Sequence, residues 1–189
     1  MGVSEELKEL IVFLLENIGE KIPILIDADG LNNLSNMDLS ELKNIIDKKN
    51  IVLTPHPGEF FKLFKRKVNK RIADFREIMS VFKNVTILLK GKYTLLKKDR
   101  VKVLINSTGN ASLAKGGSGD ILSGIIGALI AKKIPLELAI QFGVYLHGYV
   151  SDLAYEKTGD FSLDMDIFLD YIPIAIEKIK NKIFKESKH

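Results

Sequence analysis

The order of apolar segments along the chain predicts an α/β fold with a largely parallel sheet. Short apolar runs that suit buried strands alternate with longer segments whose apolar residues recur at helical spacing. The first two short runs stop abruptly, one at Asp27 and the other at Pro55, which indicates strands leaving a sheet. In such a sheet, ligands bind beyond the carboxyl ends of the strands. The polar residues that follow these strands are therefore candidates for a functional site.

The individual elements follow from periodicity, caps and turn residues. Leu7, Leu10 and Leu14 share one helical face, which predicts a first helix over 5–18. A helix over 37–50 is expected to be capped by Asp38 or Ser40. The other expected elements are, in chain order, strands in 22–31 and 50–57, helices over 58–66 and 73–84, a strand in 85–91, a hairpin over 92–105 that turns at Lys98-Asp99-Arg100, a buried helix over 120–131, and long helices over 135–157 and 165–184.

Composition excludes several classes of protein. The 189 residues include no cysteine, so disulfides, thiolate metal sites and cysteine nucleophiles are excluded. No uninterrupted apolar run reaches the roughly 18 residues of a membrane span, and the acidic opening "MGVSEELKEL" is unlike a signal peptide. The lack of cysteine fits a cytoplasmic protein, which we expect. Much of the net charge of +4 comes from 62–71 and from the carboxy-terminal tail. Aromatic residues do not interleave these cations, so we expect a solvated surface and no nucleic-acid partner.

The segment "NSTGNASLAKGGSGDILSGIIGALIA", residues 106–131, leads from a polar loop through several glycines into an apolar helix. A helix start exposes unpaired N–H groups and a partial positive charge, and preceding glycines let the backbone approach an anion. The segment therefore favours a phosphate or a transferring phosphoryl group. It does not match the common phosphate-loop signature, because Ala114 stands where that signature needs glycine and no Lys-Ser or Lys-Thr pair follows. Asp120 is either a helix cap or a general base.

Four blocks of sequence and this glycine segment resemble one enzyme family. Gly116 to Asp120 resembles the anion-hole and catalytic-base motif of the ribokinase-like superfamily, and 106–131 is more similar to its ADP-dependent NAD(P)H-hydrate dehydratases. The blocks "LIDADGLNNL", "VLTPHPGEF", "LLKGKYTLL" and "YLHGYVSDLA" agree with that family in order and spacing. The resemblance covers essentially the whole chain. It implies a ribokinase-like three-layer α/β/α fold with a largely parallel central sheet.

The resemblance also implies a reaction and a set of roles. The substrate is the (S) form of hydrated NADH or NADPH, ADP is the phosphoryl donor, and Mg²⁺ bridges nucleotide oxygens without a dedicated set of protein ligands. Asp120 is the implied catalytic base and substrate contact, His56 is a second substrate contact, and Gly117, Ser118 and Gly119 form the implied anion hole. The implied nucleotide-binding residues are Lys90, Gly91, Lys92, Tyr93, Thr94, Asn110, Ala111, Ser112, Leu113, Ala114, Lys115, Gly116 and Gly119.

Several residues have a structural interpretation beside the functional one. Asp27 and Asp29 either bind water on magnesium or cap the turn at Gly30. Glu59 either belongs to the site or begins the next helix, where the helix dipole stabilises an acid. The segment from Lys90 to Thr94 either binds the nucleotide or is an ordinary tight turn, in which Gly91 is needed for the backbone geometry. His147 lies in an apolar helical context, and we interpret it as a packed histidine.

One departure from the family concerns the start of the chain. The family's domain normally begins earlier, with a glycine-rich strand and helices. We therefore expect residues 1–189 to form the carboxy-terminal two thirds of a single ribokinase-like domain. An open apolar sheet edge near "PILIDA" is then expected to favour a homo-oligomer, or association with a chain that supplies the missing part.

Two alternatives to the dehydratase remain open at this stage. The first is a small-molecule kinase of the same superfamily that acts on a vitamin precursor such as hydroxyethylthiazole. It would use the same Asp120 and anion hole, and the block "TPHPGE" argues against it. The second is a catalytically inactive nucleotide-binding fragment.

Overall fold

The structure is a computed structural model in which two compact units, Met1–Ile105 and Asn106–His189, are distinguished by their internal contacts. The assignment of the whole chain to a single domain stays a prediction. The structure describes residues 2–19, 21–47, 50–69, 71–97, 102–159 and 164–186.

The first unit alternates helices and strands as the sequence predicts. Its elements are, in chain order, α1 (Glu5–Asn17), β1 (Ile24–Ile26), α2 (Ala28–Leu34), α3 (Leu39–Ile46), β2 (Ile51–Leu53), α4 (Pro57–Phe64), α5 (Arg71–Ser80), β3 (Thr86–Leu89), β4 (Leu95–Lys97) and β5 (Val103–Ile105). Ser4 caps α1 by accepting a hydrogen bond from the backbone N–H of Leu7. Asp38 stands at the cap position of α3, as expected, although its side chain makes no capping hydrogen bond.

The strands of the first unit form one mixed sheet in the order β1-β2-β3-β4-β5. Strands β1, β2 and β3 are parallel, whereas β4 and β5 return antiparallel as a hairpin. The predicted hairpin is therefore confirmed, while its predicted turn, Lys98-Asp99-Arg100, lies outside the described residues. Among the described strands, β1 is an outer strand that pairs only with β2.

Aromatic residues anchor α4 in the hydrophobic core of the first unit. Phe60 and Phe64 of α4 lie with ring centroids 4.6 Å apart, and Phe64 meets Phe82 at 5.5 Å. Each of these rings is almost fully buried. Burial of a side chain of this size stabilises the fold by about 1.5–3 kcal/mol. The cluster therefore fixes α4, whose first residues carry part of the candidate site.

Helix α2 was not predicted from the sequence, although the strand before it was correctly expected to leave the sheet at Asp27. The strand ends at Ile26, Asp27 takes the cap position in extended backbone, and α2 follows at once. Leu31 and Leu34 are buried three residues apart, which is helical spacing. Gly30 and the adjacent asparagines have low helix propensity and hid this short helix in the sequence.

The second unit is helical. It contains a 3₁₀ turn (Ala111–Leu113), α6 (Ser118–Ala131), α7 (Leu136–Thr158) and α8 (Met165–Glu186). Its core forms around buried residues of α7 and α8, among them Val150, Leu153 and Phe168. Helix α6 is less buried than its hydropathy predicted, because Leu122 and Ile126 are buried while Gly124 and Ala128 on another face are exposed.

No helix in the described part of the chain is both long enough and apolar enough to cross a membrane.

Candidate active site

The carboxyl ends of the three parallel strands lie side by side, as the fold class predicts. Two backbone hydrogen bonds extend the pairing beyond the strands themselves: Thr54 N–H donates to the carbonyl of Ile26, and Lys90 N–H donates to the carbonyl of Pro55 at 2.8 Å. The residues that follow β1, β2 and β3 are thereby brought together. We call Asp27, His56, Glu59 and Lys90 the strand-end cluster.

Lys90 is the centre of charge in the strand-end cluster. Its Nζ lies 2.7 Å from Oδ1 of Asp27 and 4.0 Å from Oε2 of Glu59. The side chains of Lys90, Asp27 and Glu59 are 19%, 12% and 7% exposed, so water screens these charges weakly. Two carboxylates that would repel each other are held together by the ammonium group between them.

His56 and Glu59 form a capping box at the start of α4. Nδ1 of His56 accepts hydrogen bonds from the backbone N–H groups of Gly58 and Glu59, and Oε2 of Glu59 accepts from the backbone N–H of His56 at 2.8 Å. A ring nitrogen that accepts carries no proton, so neutral His56 holds its proton on Nε2. The His56 side chain is 56% exposed. Glu59 thus begins a helix and at the same time fixes the orientation of a histidine.

Asp29 makes different contacts from Asp27. Its Oδ2 accepts a hydrogen bond from the backbone N–H of Gly2 at 2.7 Å, and this bond lowers the pKa of Asp29. Asn33 is buried and donates to the carbonyls of both Asp29 and Gly2. Of the two acids that follow β1, Asp27 joins the strand-end cluster, whereas Asp29 binds the segment ahead of α1.

The predicted nucleotide segment after β3 is a tight turn. Gly91 has φ +130° and Tyr93 has φ +56°, and Thr94 Oγ1 donates to the carbonyl of Gly91 at 3.2 Å. Lys92 and Tyr93 are exposed, with the ammonium of Lys92 5.5 Å from the centre of the Tyr93 ring. The turn presents these two side chains to solvent.

Arg71 supports this turn and was missed by sequence reasoning. Its Nη2 donates to the carbonyls of Leu89 and Lys90, at 3.2 and 3.1 Å. Burial lowers the pKa of Arg71. The turn needs glycine at position 91 for its φ, and a Cβ there would also displace the guanidinium of Arg71, whose Nη1 would lie only 2.9 Å away.

In the second unit, the glycine segment forms the start of α6. Gly117 is the N-cap in left-handed conformation, with φ 88°, and Ile121 N–H donates to its carbonyl. Ser118 N–H donates to the carbonyl of Lys115 at 3.3 Å. Among the described residues, the N–H groups of Gly119 and Asp120 donate to no protein acceptor. Two backbone donors in the first turn are therefore open to an anion.

Asp120 stands at the third position of α6 and is exposed. Gly117 occupies the cap position, so the interpretation of Asp120 as the helix cap is wrong. The helix dipole still stabilises an acid in the first turn. The exposed carboxylate is on the same turn as the open N–H groups, an arrangement that suits a base acting on a group bound there.

The loop ahead of the 3₁₀ turn is tied to α7. Gly109, with φ +100°, donates its N–H to Oδ2 of Asp152 at 2.8 Å. The side chain of Asn110 donates to Oδ1 of Asp152 at 3.0 Å and accepts from Ser112 N–H, and Asn110 N–H donates to Ser151 Oγ. Sequence reasoning missed Asp152 as a site-forming residue, and only its place in the block "YLHGYVSDLA" drew attention to it.

The predicted site residues thus fall into two groups, one in each unit. The first unit brings Asp27, His56, Glu59 and Lys90 together. The second unit places 109–120 against side chains of α7 or at the start of α6. The described residues contain no group of three or more acids and histidines arranged to hold a metal ion.

Comparison with known proteins identifies the family. The model of the NAD(P)H-hydrate dehydratase family matches residues 1–173, nearly the whole chain. The chain belongs to the NAD(P)H-hydrate dehydratase family. It is 37% identical over 168 residues to a Neisseria meningitidis protein named ADP-dependent (S)-NAD(P)H-hydrate dehydratase, and the match covers 86% of this chain and 55% of that protein. The chain therefore spans about half the length of this curated member of the family.

Solved structures agree with the family assignment. The crystal structure of the Bacillus subtilis ADP/ATP-dependent NAD(P)H-hydrate dehydratase, co-crystallised with ATP and Mg²⁺, matches 94% of this chain and 61% of its own at TM-score 0.76 and 25% identity. A ribokinase-like superfamily protein from Enterococcus faecalis matches 94% of this chain and 60% of its own at TM-score 0.76 and 23% identity, a likeness of fold alone. The family and the ribokinase-like α/β fold expected from the motifs are both confirmed.

Proposed function

We propose that this protein catalyses the ADP-dependent dehydration of (S)-hydrated NADH and NADPH, which returns the reduced dinucleotide. The observation that carries the proposal is the start of α6. There the open N–H groups of Gly119 and Asp120 occur on the same turn as the exposed carboxylate of Asp120. Such a turn offers an anion donors and offers a hydroxyl a base. Membership of the dehydratase family supports the same chemistry.

The proposed reaction has two steps. Asp120 takes the proton of the hydrate's hydroxyl group, whose oxygen attacks the terminal phosphorus of ADP, and the bond from that phosphorus to AMP breaks. The backbone N–H groups of α6 stabilise the charge on the phosphoryl oxygens. The lone pair of the ring nitrogen then expels inorganic phosphate from the carbon that carried the hydroxyl group. The next ring carbon loses a proton, which restores the double bond. Hydrated NADH and ADP thus give NADH, AMP, phosphate and one proton.

Other residues have proposed binding roles. The Nε2–H of His56, fixed by the capping box, donates a hydrogen bond to the hydrate. The turn from Lys90 to Thr94 and the segment from Asn110 to Gly116 bind the nucleotide. Because Lys90 Nζ is already engaged by Asp27, Lys90 contributes as an anchor of its turn. Gly117 gives the anion hole its backbone shape.

A magnesium ion fits this site only with few protein ligands. The carboxylates of Asp27 and Glu59 are compensated by Lys90, and the described residues offer no larger set of acids. Mg²⁺ often keeps its water and binds through substrate phosphates. When bound, the ion would neutralise charge on the phosphate groups of ADP, and Asp27 or Asp29 would hold its water.

The proposal includes location and assembly. We infer a cytoplasmic protein that forms a homo-oligomer or associates with a chain that adds strands beside β1. The support for assembly is strand β1, an apolar outer strand with no described partner on its free side.

Product analysis tests the function. The protein is incubated with (S)-hydrated NADH, ADP and Mg²⁺, and phosphorus NMR is recorded with the near-ultraviolet absorbance of the dihydronicotinamide. We expect one AMP and one inorganic phosphate for every NADH formed. A phosphate ester that accumulates without the absorbance would identify a small-molecule kinase instead. ADP binding without turnover would identify a nucleotide-binding fragment, and either result overturns the proposal.

A further inference from the structure

His147 is a buried polar residue of α7 to which the proposed reaction gives no role. Its Nε2 lies 3.0 Å from the carbonyl oxygen of Ser118 and 3.2 Å from Oγ of the same residue. A carbonyl oxygen accepts and never donates, so the proton of the ring is on Nε2. The ring also packs against Phe168, with centroids 5.2 Å apart.

Ser118 is consequently held by all of its polar groups. Its N–H donates to the carbonyl of Lys115, while its carbonyl and hydroxyl oxygens both face Nε2 of His147. Ser118 precedes Gly119 and Asp120, the residues with open N–H groups. These contacts hold the peptide bonds on both sides of Ser118, one to Gly117 and one to Gly119. They thereby set the direction in which the following N–H groups point.

Close packing against Thr108 fixes the position of α7 near His147. Gly148, the next residue, lies so close to Thr108 that a Cβ on it would be 2.3 Å from Thr108 Oγ1 and 2.6 Å from its carbonyl carbon. Thr108 Oγ1 in turn donates to the carbonyl of Tyr145, one turn earlier. The position of the His147 ring is therefore set by the backbone of α7 as well as by its own packing.

We propose that His147 is a positioning residue for the phosphoryl-transfer step. Its Nε2–H holds Ser118 and thereby aims the N–H groups of Gly119 and Asp120 at the transferring phosphoryl group. His147 acts through Ser118 and touches no reacting atom. The inference rests on the proposed function for its kinetic consequence, but the hydrogen bond and its effect on ADP binding do not depend on that function.

Two amide substitutions distinguish the effect of the Nε2–H donor of His147 from the effect of the size of its side chain. In His147→Gln the amide nitrogen is as many bonds from Cα as Nε2 of histidine, whereas in His147→Asn it reaches only as far as Nδ1. We expect His147→Asn to lower kcat by ~10–10²-fold with a smaller change in the KM for ADP, because misplaced donors act in the transition state. His147→Gln should recover most of the loss. Equal losses in both variants that track their thermal unfolding would show a purely structural role and overturn the proposal.

A spectroscopic measurement on the unmodified chain keeps the test independent of folding in the variants. The chain has three histidines, so a long-range proton–nitrogen NMR spectrum assigns them readily. We expect His147 as the Nε2–H tautomer, and an Nδ1–H tautomer would refute the proposed hydrogen bond. If the unmodified chain fails to dehydrate the hydrate, the amide shifts of Gly119 and Asp120 on addition of ADP replace kcat. Shifts that His147→Asn reduces and His147→Gln restores would sustain the positioning role while the proposed function fails.

Discussion

The strand-end cluster and the start of α6 handle charge in opposite ways. In the strand-end cluster, formal charges sit on side chains that are largely buried and satisfy one another, with Lys90 between Asp27 and Glu59. At the start of α6, backbone N–H groups and the carboxylate of Asp120 are left open. The charges of the first region are compensated within the protein, whereas the second region has donors without a described protein acceptor.

The difference indicates that the strand-end cluster has a structural role and that the start of α6 binds the reacting group. Buried compensated charges hold strand ends and a capping box in place, and they offer the substrate little net charge. Open N–H groups in a helix turn attract an anion and need no rearrangement to bind it. Side chains of α7 support this second region: His147 contacts Ser118 at the start of α6, whereas Ser151 and Asp152 bind the loop at Gly109 and Asn110.

The largest effect is expected from Asp120→Asn. The amide keeps the shape of the side chain but cannot accept a proton, so turnover should fall by ~10²-fold or more while ADP still binds. Asp166→Asn is the matched control, because it makes the same change at an exposed first-turn acid of α8. Turnover is followed by the recovery of dihydronicotinamide absorbance. A wild-type rate in Asp120→Asn would remove Asp120 from the role of base.

A comparably large effect, on stability in place of turnover, is expected from Lys90→Met. Removing the ammonium leaves Asp27 and Glu59 uncompensated, so the free energy of unfolding should fall by about 3 kcal/mol. Lys92→Met, at an exposed residue of the following turn, should change it little. Adding Asp27→Asn to Lys90→Met should restore part of the loss in a double-mutant cycle by denaturant unfolding. Additive losses would show that the two side chains do not interact.

Gly148→Ala probes the packing that sets α7 against the loop at Thr108. A new Cβ would overlap the backbone of Thr108, so we expect a loss of about 2 kcal/mol in the free energy of unfolding. Gly127→Ala is the contrast, because nothing lies within 4 Å of its added Cβ in the middle of α6. There alanine should stabilise by about 0.5–1 kcal/mol through helix propensity. Thermal melts with the same sign for both variants would contradict the described packing.

The smallest effect is expected from a pair of neighbouring glycines ahead of α6. Gly117 has φ 88°, where alanine is strained by about 1–2 kcal/mol, whereas Gly116 has neither positive φ nor a neighbour within 4 Å of its added Cβ. Gly117→Ala should therefore weaken ADP binding several-fold by calorimetry, and Gly116→Ala, which adds a methyl group without backbone strain, should weaken it less. If the two variants bind ADP alike, the left-handed cap does not shape the anion site.

Sequence patterns predicted those parts of the fold that depend on local order. The alternation of apolar runs gave the strands, the hairpin and the long helices, and the glycine run located the start of α6. Helix α2 was missed because Gly30 and two asparagines lower its helix propensity, and burial of Leu31 and Leu34 outweighs that deficit. Local propensity cannot show how much apolar surface a short segment buries.

The supporting residues of the candidate site were not predictable in the same way. Arg71 binds the carbonyl of Lys90 across 19 positions, and Asp152 binds Gly109 across 43. Neither residue type is unusual in its own helix, so no local pattern distinguishes these two from solvated surface charges. The charge partners of Lys90 likewise come from two other strand ends. Such contacts depend on which strands and helices lie together, and that information appears only in the folded chain.

The central claim is that the terminal phosphate of ADP binds at the open N–H groups of α6. Backbone amide spectra of the nitrogen-15-labelled protein, titrated in parallel with ADP and with AMP, test it most directly. We predict that the amides of Gly119 and Asp120 shift strongly with ADP and much less with AMP, which lacks that phosphate. Equal shifts with both nucleotides, or shifts confined to residues outside the start of α6, would contradict the claim.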